Sequence, residues 1–323
     1  MKAIRYRAYG GPDVLELQDL PTPAPGDGEV LIRVHAAAIN PGDSYLMRGI
    51  PRVLRAAVGL TRPRTGALGA DLAGRVEAVG RDVTSFRPGD EVFGCATGAF
   101  AEYVTVRHDG PLVTKPAALT FEEAAAVPTS AVTALIGLRD VARVGPGQRV
   151  LVNGASGGVG GFAVQLARSL GAEVTAVCRA ANADLVRSLG AAHVVDHTKQ
   201  DFTDAHGPRY DVILDNVGNR PLSACARVLA PRGTYIPNSG KGGRWLGPVN
   251  RILAARLRSL AGRQRFTSYV ARPAAGTLTA LRDLLDKGEL TAVIDRTYPL
   301  ADAAAAMRHY EEGHPAGKVV LTT

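Results

Sequence analysis

The chain has 323 residues, of which 46% are hydrophobic and 21% are charged. This length suggests about two domains, because a single hydrophobic core rarely grows beyond roughly 250 to 300 residues, and the composition excludes a disordered chain. The 3 cysteines lie far apart and form no CxxC pair, which excludes a disulfide framework and a cysteine zinc cluster. The first residues lack the apolar core of a signal peptide, and no apolar run reaches the roughly 20 residues of a spanning helix. We therefore expect a cytoplasmic protein with no stable membrane insertion.

The first 115 or so residues alternate short β-rich runs with Pro–Gly turns. The runs 30–34, 74–79 and 91–93 favour strands. We find no helix-length periodicity there, and we interpret the Arg- and Pro-rich stretch between Met47 and Ala70 as a surface loop. This part of the chain is predicted to be a mainly antiparallel β domain.

After Thr120 the pattern changes to alternating helices and strands. Thr120 is a candidate N-cap for a helix that runs into an Ala-rich stretch. The pattern then predicts strands at 149–153, 173–178, 194–195, 211–215 and 233–236, with helices at 159–170 and 182–189. Such alternation indicates βαβ units and a parallel sheet covered on both faces. The tail is mixed, with helices near 276–287 and 301–311 and strands near 294–298 and 318–321.

The net charge of +8 is concentrated in the segment 216–282, which holds 12 Lys and Arg residues and no acid. Within it, 247–262 has the pattern of an amphipathic helix, with Leu253 and Leu257 on the apolar side and Arg251 opposite. Three interpretations of the segment remain open: a rim for an anionic substrate or cofactor phosphate, a solvated surface or dimer edge, and a membrane or nucleic-acid surface. We find no helix-turn-helix, zinc-finger or RNP motif, so nucleic acid is not an expected partner.

A glycine-rich turn follows the predicted strand 149–153 and opens a helix. Ala155, Gly157 and Gly160 occupy the three glycine positions of the dinucleotide fingerprint, so its first position departs from the pattern. Backbone N–H groups of such a turn can meet a pyrophosphate. A tight strand-to-helix turn without a ligand is the alternative, but the βαβ units that follow favour a dinucleotide.

The end of the next predicted strand indicates which dinucleotide binds. An acid at this place would accept hydrogen bonds from the ribose hydroxyls of NAD. The strand is followed instead by Arg179 and no acid up to Asn182. A guanidinium suits a 2′-phosphate, so the sequence favours NADPH, with a solvated surface arginine as the alternative.

Several short motifs occur in one order along the whole chain. They are Asn40–Tyr45, 69–74, 88–94, 98–103, 155–160, 215–218 and 317–320. Together they resemble the medium-chain dehydrogenase/reductase superfamily, in its zinc-independent quinone oxidoreductase (zeta-crystallin-like) branch. The resemblance implies an α/β protein: a GroES-like β-barrel domain at 1–120, completed by the tail 270–323, and a Rossmann doubly wound parallel-sheet domain at 121–269. The cofactor would lie in the cleft between them, and the resemblance suggests a homodimer.

The zinc-dependent members of the superfamily hold a catalytic zinc, whose ligands include Cys and His. At the matching places this sequence has Asn40 and Ala70, and the four-cysteine lobe of those enzymes is absent after Gly98. A catalytic zinc needs three protein ligands and an open position. We therefore expect hydride transfer without a metal.

The resemblance also implies which residues form the site. Tyr45 would lie beside the nicotinamide, Arg179 and His197 at the adenosine end, and Lys318 near the cofactor phosphate. The pyrophosphate would be held by Ser156, Gly157, Gly158 and Val159. Loops at the carboxyl ends of strands would add Asn216, Asn238 and Ser239. Simpler roles remain open, since Tyr45 could cap an apolar pocket, His197 could be a surface histidine and Asn216 could cap a turn.

The expected reaction is hydride delivery from NADPH to a small-molecule acceptor, either a quinone or the β-carbon of an α,β-unsaturated carbonyl compound. Asn40 and Tyr45 can donate hydrogen bonds to the carbonyl oxygen as it gains charge, and a proton would follow from Tyr45 or water. Asp43 is expected to orient its loop. Because no single essential acid or base stands out, an NADPH-binding sensor or interaction protein with little turnover is the alternative.

Overall fold

The computed structural model describes residues 1–204, 207–238, 245, 247, 249–259 and 263–323. The chain divides into two compact units. The first unit consists of Met1–Val132 and Arg272–Thr323, and the second of Thr133–Ala271. The first unit therefore extends past residue 120 to Val132. Within the described residues no helix is both long and apolar enough to cross a membrane.

The strands and helices alternate in kind between the two units. The strands are β1 (Lys2–Arg5), β2 (Glu16–Asp19), β3 (Glu29–Ala38), β4 (Asp71–Val79), β5 (Glu91–Cys95), β6 (Tyr103–Arg107), β7 (Leu112–Thr114), β8 (Arg149–Asn153), β9 (Glu173–Cys178), β10 (His193–Asp196), β11 (Tyr210–Asp215), β12 (Leu229–Pro237), β13 (Arg265–Phe266), β14 (Ile294–Pro299) and β15 (Lys318–Thr322). The α-helices are α1 (Pro41–Arg48), α2 (Arg55–Val58), α3 (Phe121–Ala125), α4 (Pro128–Leu135), α5 (Gly158–Ser169), α6 (Ala183–Ser188), α7 (Leu222–Val228), α8 (Val249–Ser259), α9 (Ala275–Asp286) and α10 (Ala303–Glu312).

The first unit is built on a seven-stranded sheet. Its strand order is β14-β15-β3-β4-β5-β7, and β6 also pairs with β3. All of these pairs are antiparallel except β14 with β15. The tail strand β15 lies between β14 and β3, so residues from both ends of the chain complete one sheet. The GroES-like part of the predicted fold is confirmed.

The prediction of no helix in the first 115 residues was wrong at α1. Pro41 stands at the start of this helix, where its missing N–H costs nothing, and the carboxylate of Asp43 accepts a hydrogen bond from the backbone N–H of Asn40 at 2.8 Å. Gly49 ends the helix in the left-handed conformation, with φ of 58°. Eight residues are too few for a clear period in the sequence. The stretch read as a loop also contains the short helix α2.

The helix predicted after Thr120 begins as expected but is interrupted. The Thr120 hydroxyl accepts a hydrogen bond from the backbone N–H of Glu123 at 3.2 Å, and the Glu123 carboxylate accepts one from the N–H of Thr120. The helix nevertheless ends at Ala125, and α4 starts at Pro128. The reason is local, since a proline disfavours helical dihedrals at the residue before it.

The second unit is built on a six-stranded sheet in which every pair is parallel. The order β10-β9-β8-β11-β12-β13 corresponds to 3-2-1-4-5-6 along this part of the chain, which is the Rossmann doubly wound order and confirms that part of the predicted fold. The order reverses between β8 and β11, and ligands of such sheets bind beyond the carboxyl ends of the strands at this point. Continuous apolar runs such as 150–152 are fully buried, as a sheet covered on both faces requires.

Helix α8 forms within the predicted range 247–262, but the arrangement of its faces is the reverse of an ordinary amphipathic surface helix. Leu253 and Leu257 are 53% and 69% exposed, whereas Ala255 is buried. The Arg251 side chain is 14% exposed and forms an ion pair with buried Asp215. An inward-facing charge with a buried partner, which helical periodicity does not show, therefore decides which side of α8 faces the unit.

Candidate active site

The glycine-rich turn links β8 to α5 in the second unit. Gly154 has φ of +76°, a left-handed value that favours glycine, and its N–H and that of Ala155 donate to the carbonyl of Val177 at the end of β9. A Cβ on Gly160 would lie 2.0 Å from the carbonyl oxygen of Gly154. Glycine at 160 thus lets the helix approach the strand end closely, which is the packing role of the last fingerprint glycine.

The predicted pyrophosphate residues lie at the N-terminus of α5. Gly157 is the N-cap, while Gly158 and Val159 lie in the first helical turn. The first N–H groups of a helix have no carbonyl partner within it, and this first turn contains no acid that could compensate the dipole. The Ser156 hydroxyl accepts a hydrogen bond from the side-chain amide of Asn182 at 3.1 Å. The turn therefore has the composition and geometry of an anion site.

Arg179 and His197 lie together at the carboxyl ends of β9 and β10. The His197 backbone N–H donates to the carbonyl of Cys178 at 3.1 Å, which places the residue directly after its strand and next to β9. Both side chains are exposed, and the guanidinium of Arg179 forms no ion pair with any residue that the structure describes. The two predicted adenosine-end residues are thus neighbouring cationic or neutral donors available to a ligand.

A polar cluster lies at the carboxyl ends of β8, β11 and β12. Asn238 donates through its side-chain amide to Oδ1 of Asn216 at 2.8 Å. The Nδ2 atom of Asn216 is buried and has no hydrogen-bond partner among the described residues. An unpaired buried amide donor costs about 1–3 kcal/mol unless a ligand satisfies it. Asn216 and Asn238 are therefore brought together as predicted, whereas Ser239 lies outside the described residues.

The carboxylate of Asp215 organises this cluster, and the sequence reasoning did not select it. Its Oδ1 accepts hydrogen bonds from Asn153 Nδ2 at 2.7 Å and from the backbone N–H groups of Val217 and Gly218. Its Oδ2 accepts one from the Tyr235 hydroxyl at 2.5 Å. A fully buried acid at the end of a parallel strand is a signal that could have identified it. The same carboxylate also raises the pKa of Tyr235, although burial contributes more.

Tyr45 lies on α1 in the first unit, and it is 37% exposed. Glu311 of α10 fixes this helix by accepting hydrogen bonds from Ser44 Oγ at 2.5 Å and from Arg48 Nε at 2.7 Å. The pairing with Arg48 keeps the pKa of Glu311 below its usual value despite the opposing effect of burial. The phenol of Tyr45 is thus carried on a helix anchored on both sides of it.

Asn40 and Lys318 lie in a buried polar cluster of the same unit. The ammonium of Lys318 lies 2.6 Å from Oδ1 of Asn40 and 3.7 Å from Oδ2 of Asp71. The amide of Asn40 donates to Asp71 at 3.0 Å and to the carbonyl of Ala38 at 3.3 Å. Both side chains are about 4% exposed. This geometry argues against two predicted roles, because Asn40 has no free donor for a carbonyl and the amine of Lys318 points into its own unit.

Burial shifts the titration of this cluster. It raises the pKa of Asp43 to about 7, against the opposing effect of hydrogen bonds from the N–H groups of Asn40 and Gly69. Burial also lowers the pKa of Lys318, while the carboxylates of Asp71 and Asp43 raise it. Cys95 lies 3.3 Å from Asp71, and burial raises the pKa of its thiol.

The donors at the place of a catalytic zinc do not fit that metal. Asn40 is engaged with a lysine ammonium, and Asp71 accepts hydrogen bonds from Asn40 and Thr129, so a protein cation already lies among them. Over the described part of the chain, no group of three or more His, Cys, Asp or Glu side chains could hold a metal. The residues present therefore supply polar contacts without a set of zinc ligands.

Comparisons with known proteins agree with this geometry. Residues 26–117 match the family described as alcohol dehydrogenase GroES-like domain, and residues 189–321 match zinc-binding dehydrogenase. The quinone oxidoreductase of Rattus norvegicus is 35% identical, and the alignment covers 99% of this chain and 96% of the rat protein. The chain belongs to the quinone oxidoreductase branch of the medium-chain dehydrogenase/reductase superfamily. The predicted family is thus confirmed.

Solved structures of this superfamily are similar over the whole length. The quinone oxidoreductase of Coxiella burnetii has a TM-score of 0.86 and 30% identity, covering 100% of this chain and 99% of its own. The CurK enoyl reductase has a TM-score of 0.88 and 27% identity, covering 99% of this chain and 98% of its own. As a member of this superfamily the chain is an oxidoreductase that binds a nicotinamide dinucleotide.

Proposed function

We propose that this oxidoreductase transfers hydride from NADPH to a quinone or to an α,β-unsaturated carbonyl compound, without zinc. The observation that carries the proposal is the unpaired amide of Asn216 beside the glycine turn, at the strand-order reversal of the sheet. The choice of acceptors is supported by similarity to a quinone oxidoreductase and to an enoyl reductase. These two acceptor classes share a carbonyl conjugated to a carbon that can accept hydride.

The preference for NADPH rests on the end of β9. Arg179 is exposed there without an ion pair among the described residues, and no carboxylate stands between Cys178 and Asn182. A guanidinium can form two parallel charge-assisted hydrogen bonds to a phosphate. We infer that Arg179 binds the 2′-phosphate and that His197 contributes a neighbouring donor.

When bound, NADPH supplies the hydride from its nicotinamide. The glycine turn would hold the pyrophosphate through backbone N–H groups, and Asn216 would use its free amide hydrogens on a polar group of the cofactor. Addition of hydride to the β-carbon leaves an enolate, and one proton then completes the reduction. Tyr45 has the exposed phenol that can donate a hydrogen bond to the enolate oxygen and supply that proton, directly or through water.

The sensor alternative retains one supporting observation. Asn40 is fully engaged with Lys318, Asp71 and Ala38, so one of the two predicted substrate donors is unavailable. A dinucleotide-binding protein with little turnover requires no such donor. Tight NADPH binding without reduction of any acceptor would favour this alternative.

The test is an NADPH oxidation assay with a panel of enones and quinones. Multiple turnovers with at least one of them are expected, and the absence of turnover above buffer for all of them would overturn the proposed activity. A solution measurement of mass, such as sedimentation equilibrium, tests the predicted homodimer on the same preparation.

Cofactor choice needs a separate titration with NADPH and NADH. Arg179→Ala is expected to weaken NADPH binding by about tenfold or more while leaving NADH binding nearly unchanged, because only NADPH carries the 2′-phosphate. Arg187→Ala is a matched control, since this exposed arginine pairs with Asp184 on α6. Equal losses for both cofactors would refute the role of Arg179.

A further inference from the structure

The acid-free segment contains one arginine that faces inward. Arg251 lies on α8, and its Nη2 atom lies 3.0 Å from Oδ2 of Asp215, which is fully buried. The guanidinium also donates to the Tyr235 hydroxyl and, through Nη1, to the carbonyl of Arg220 at 2.8 Å. One side chain thus connects α8 to the ends of β11 and β12 and to the chain that follows β11.

Asp215 cannot act as a cofactor ligand, because its acceptor sites are already in use. Oδ2 faces Tyr235 and Arg251, while Oδ1 accepts from Asn153 and from the backbone N–H groups of Val217 and Gly218 at 3.2 and 2.8 Å. An ionised carboxylate offers about four lone-pair sites. Its function is therefore to hold the backbone of the segment 215–218, which we call the cofactor loop.

The cofactor loop is also the place of the unpaired Asn216 amide. Asn216 is flanked by Asp215 and Val217, so the direction of its side chain depends on the backbone that the Asp215 carboxylate holds. The backbone N–H of Asn216 donates to the carbonyl of Asn153 at 3.1 Å, and Asn238 fixes its Oδ1 atom. Every polar group of this residue except Nδ2 is therefore held by the protein.

We propose that Arg251 is a positioning residue for the cofactor loop: it fixes the carboxylate of Asp215, and thereby sets the direction in which Asn216 presents its free amide to the dinucleotide. This inference rests on the proposed function, because it takes the dinucleotide to be the ligand of Asn216. A buried carboxylate that loses its cationic partner must change its hydrogen bonds or its protonation. The amides of Val217 and Gly218 would then lose a fixed acceptor.

The test compares Arg251→Met with Arg256→Met, a matched control on the exposed side of the same helix. Two quantities are measured below the unfolding temperature: hydrogen exchange of the Val217 and Gly218 amides in the protein without added cofactor, and the Kd for NADPH. We expect faster exchange at both amides and about a tenfold higher Kd in Arg251→Met, and wild-type values in the control. Arg251→Lys, which keeps the charge but not the fork of donors, should recover part of both effects.

The outcomes separate this inference from the proposed function. Wild-type exchange at Val217 and Gly218 in Arg251→Met would overturn the positioning role, and so would faster exchange with an unchanged Kd. A wild-type protein that binds neither NADPH nor NADH would overturn the proposed function and, with it, the cofactor role of the loop. If Arg251→Met does not fold, Tyr235→Phe removes one hydroxyl from the same contact and should change both quantities in the same direction by a smaller factor.

Discussion

The ammonium of Lys318 lies 2.6 Å from the side-chain oxygen of Asn40, although the two residues are 278 positions apart in the chain. Lys318 begins β15, and Asn40 precedes α1. The contact therefore joins the tail strand to the helix that carries Tyr45. It also places a buried positive charge beside Asp71, at the corner where zinc-dependent relatives would need metal ligands.

Replacing this cation should destabilise the protein. Lys318→Met leaves Asp71 buried without a cationic neighbour, and breaking a buried ion pair from one side costs about 3–5 kcal/mol. Urea unfolding of Lys318→Met, Asp71→Asn and the double variant measures the coupling between the two residues. We expect the double variant to be more stable than the sum of the single effects predicts. Lys287→Met, at an exposed lysine, is the control and should change stability by less than about 0.5 kcal/mol.

Asp43 should make stability fall as the pH rises. Its pKa is raised from 3.8 to about 7, so the folded protein keeps this proton through a range in which the unfolded chain has lost it. The associated stability is present below pH 4 and is lost as the pH rises through about 7, with a magnitude of the order of 4 kcal/mol.

Asp43→Asn removes this titration and serves to measure it. The stability deficit of the variant relative to wild type should therefore be largest near pH 5 and shrink towards pH 8, as followed by denaturant unfolding at each pH. A deficit that is constant over this range would contradict the raised pKa. Asp286→Asn, at an exposed aspartate, controls for general effects of removing an acid.

The phenol of Tyr45 should matter for turnover more than for cofactor binding. Tyr45→Phe keeps the ring on α1 but removes the donor to the developing enolate oxygen, so kcat with an enone is expected to fall at least about tenfold. The Kd for NADPH, measured by titration, should change less than about threefold. Tyr103→Phe on β6 is the control. An unchanged kcat in Tyr45→Phe would assign the proton to water or to another group.

Two adjacent glycines of α5 should respond in opposite ways to alanine. A Cβ at position 160 would lie 2.0 Å from the carbonyl oxygen of Gly154, whereas one at 161 would make an ordinary 3.5 Å contact with Leu189. Gly160→Ala is therefore expected to lower the melting temperature and weaken dinucleotide binding. Gly161→Ala should be neutral or stabilising by up to about 1 kcal/mol, because alanine favours a helix over glycine. Similar behaviour of the two variants in thermal unfolding and NADPH titration would contradict the close packing at Gly160.

Sequence patterns were sufficient where structure depends on neighbours in the chain. The predicted bounds of β8 and β9, at 149–153 and 173–178, agree with the structure because each is a short apolar run closed by turn residues. The capping role of Thr120 likewise depends on residues only three positions away. By contrast, α1 was missed because its Pro–Gly–Asp start has the composition of a turn.

Other features depend on distant partners, which one sequence does not reveal. The inward side of α8 is set by Arg251 and Asp215, which are 36 positions apart. The amide of Asn40 was expected to face a substrate, yet Asp71 and Lys318 occupy both of its ends. In each case a polar side chain was correctly marked as important, while its partner could be identified only from the folded protein.

The position of β15 has a consequence for synthesis on the ribosome. This strand lies between β14 and β3 in the first sheet, yet its residues are translated after the whole second unit. The second unit is continuous from 133 to 271 and can fold as it emerges. The first sheet must wait with an open seam along β3 until residues 318–322 leave the exit tunnel. A nascent chain stalled before that point would expose β3 as an unpaired edge, which is the state in which we expect this protein to need a chaperone.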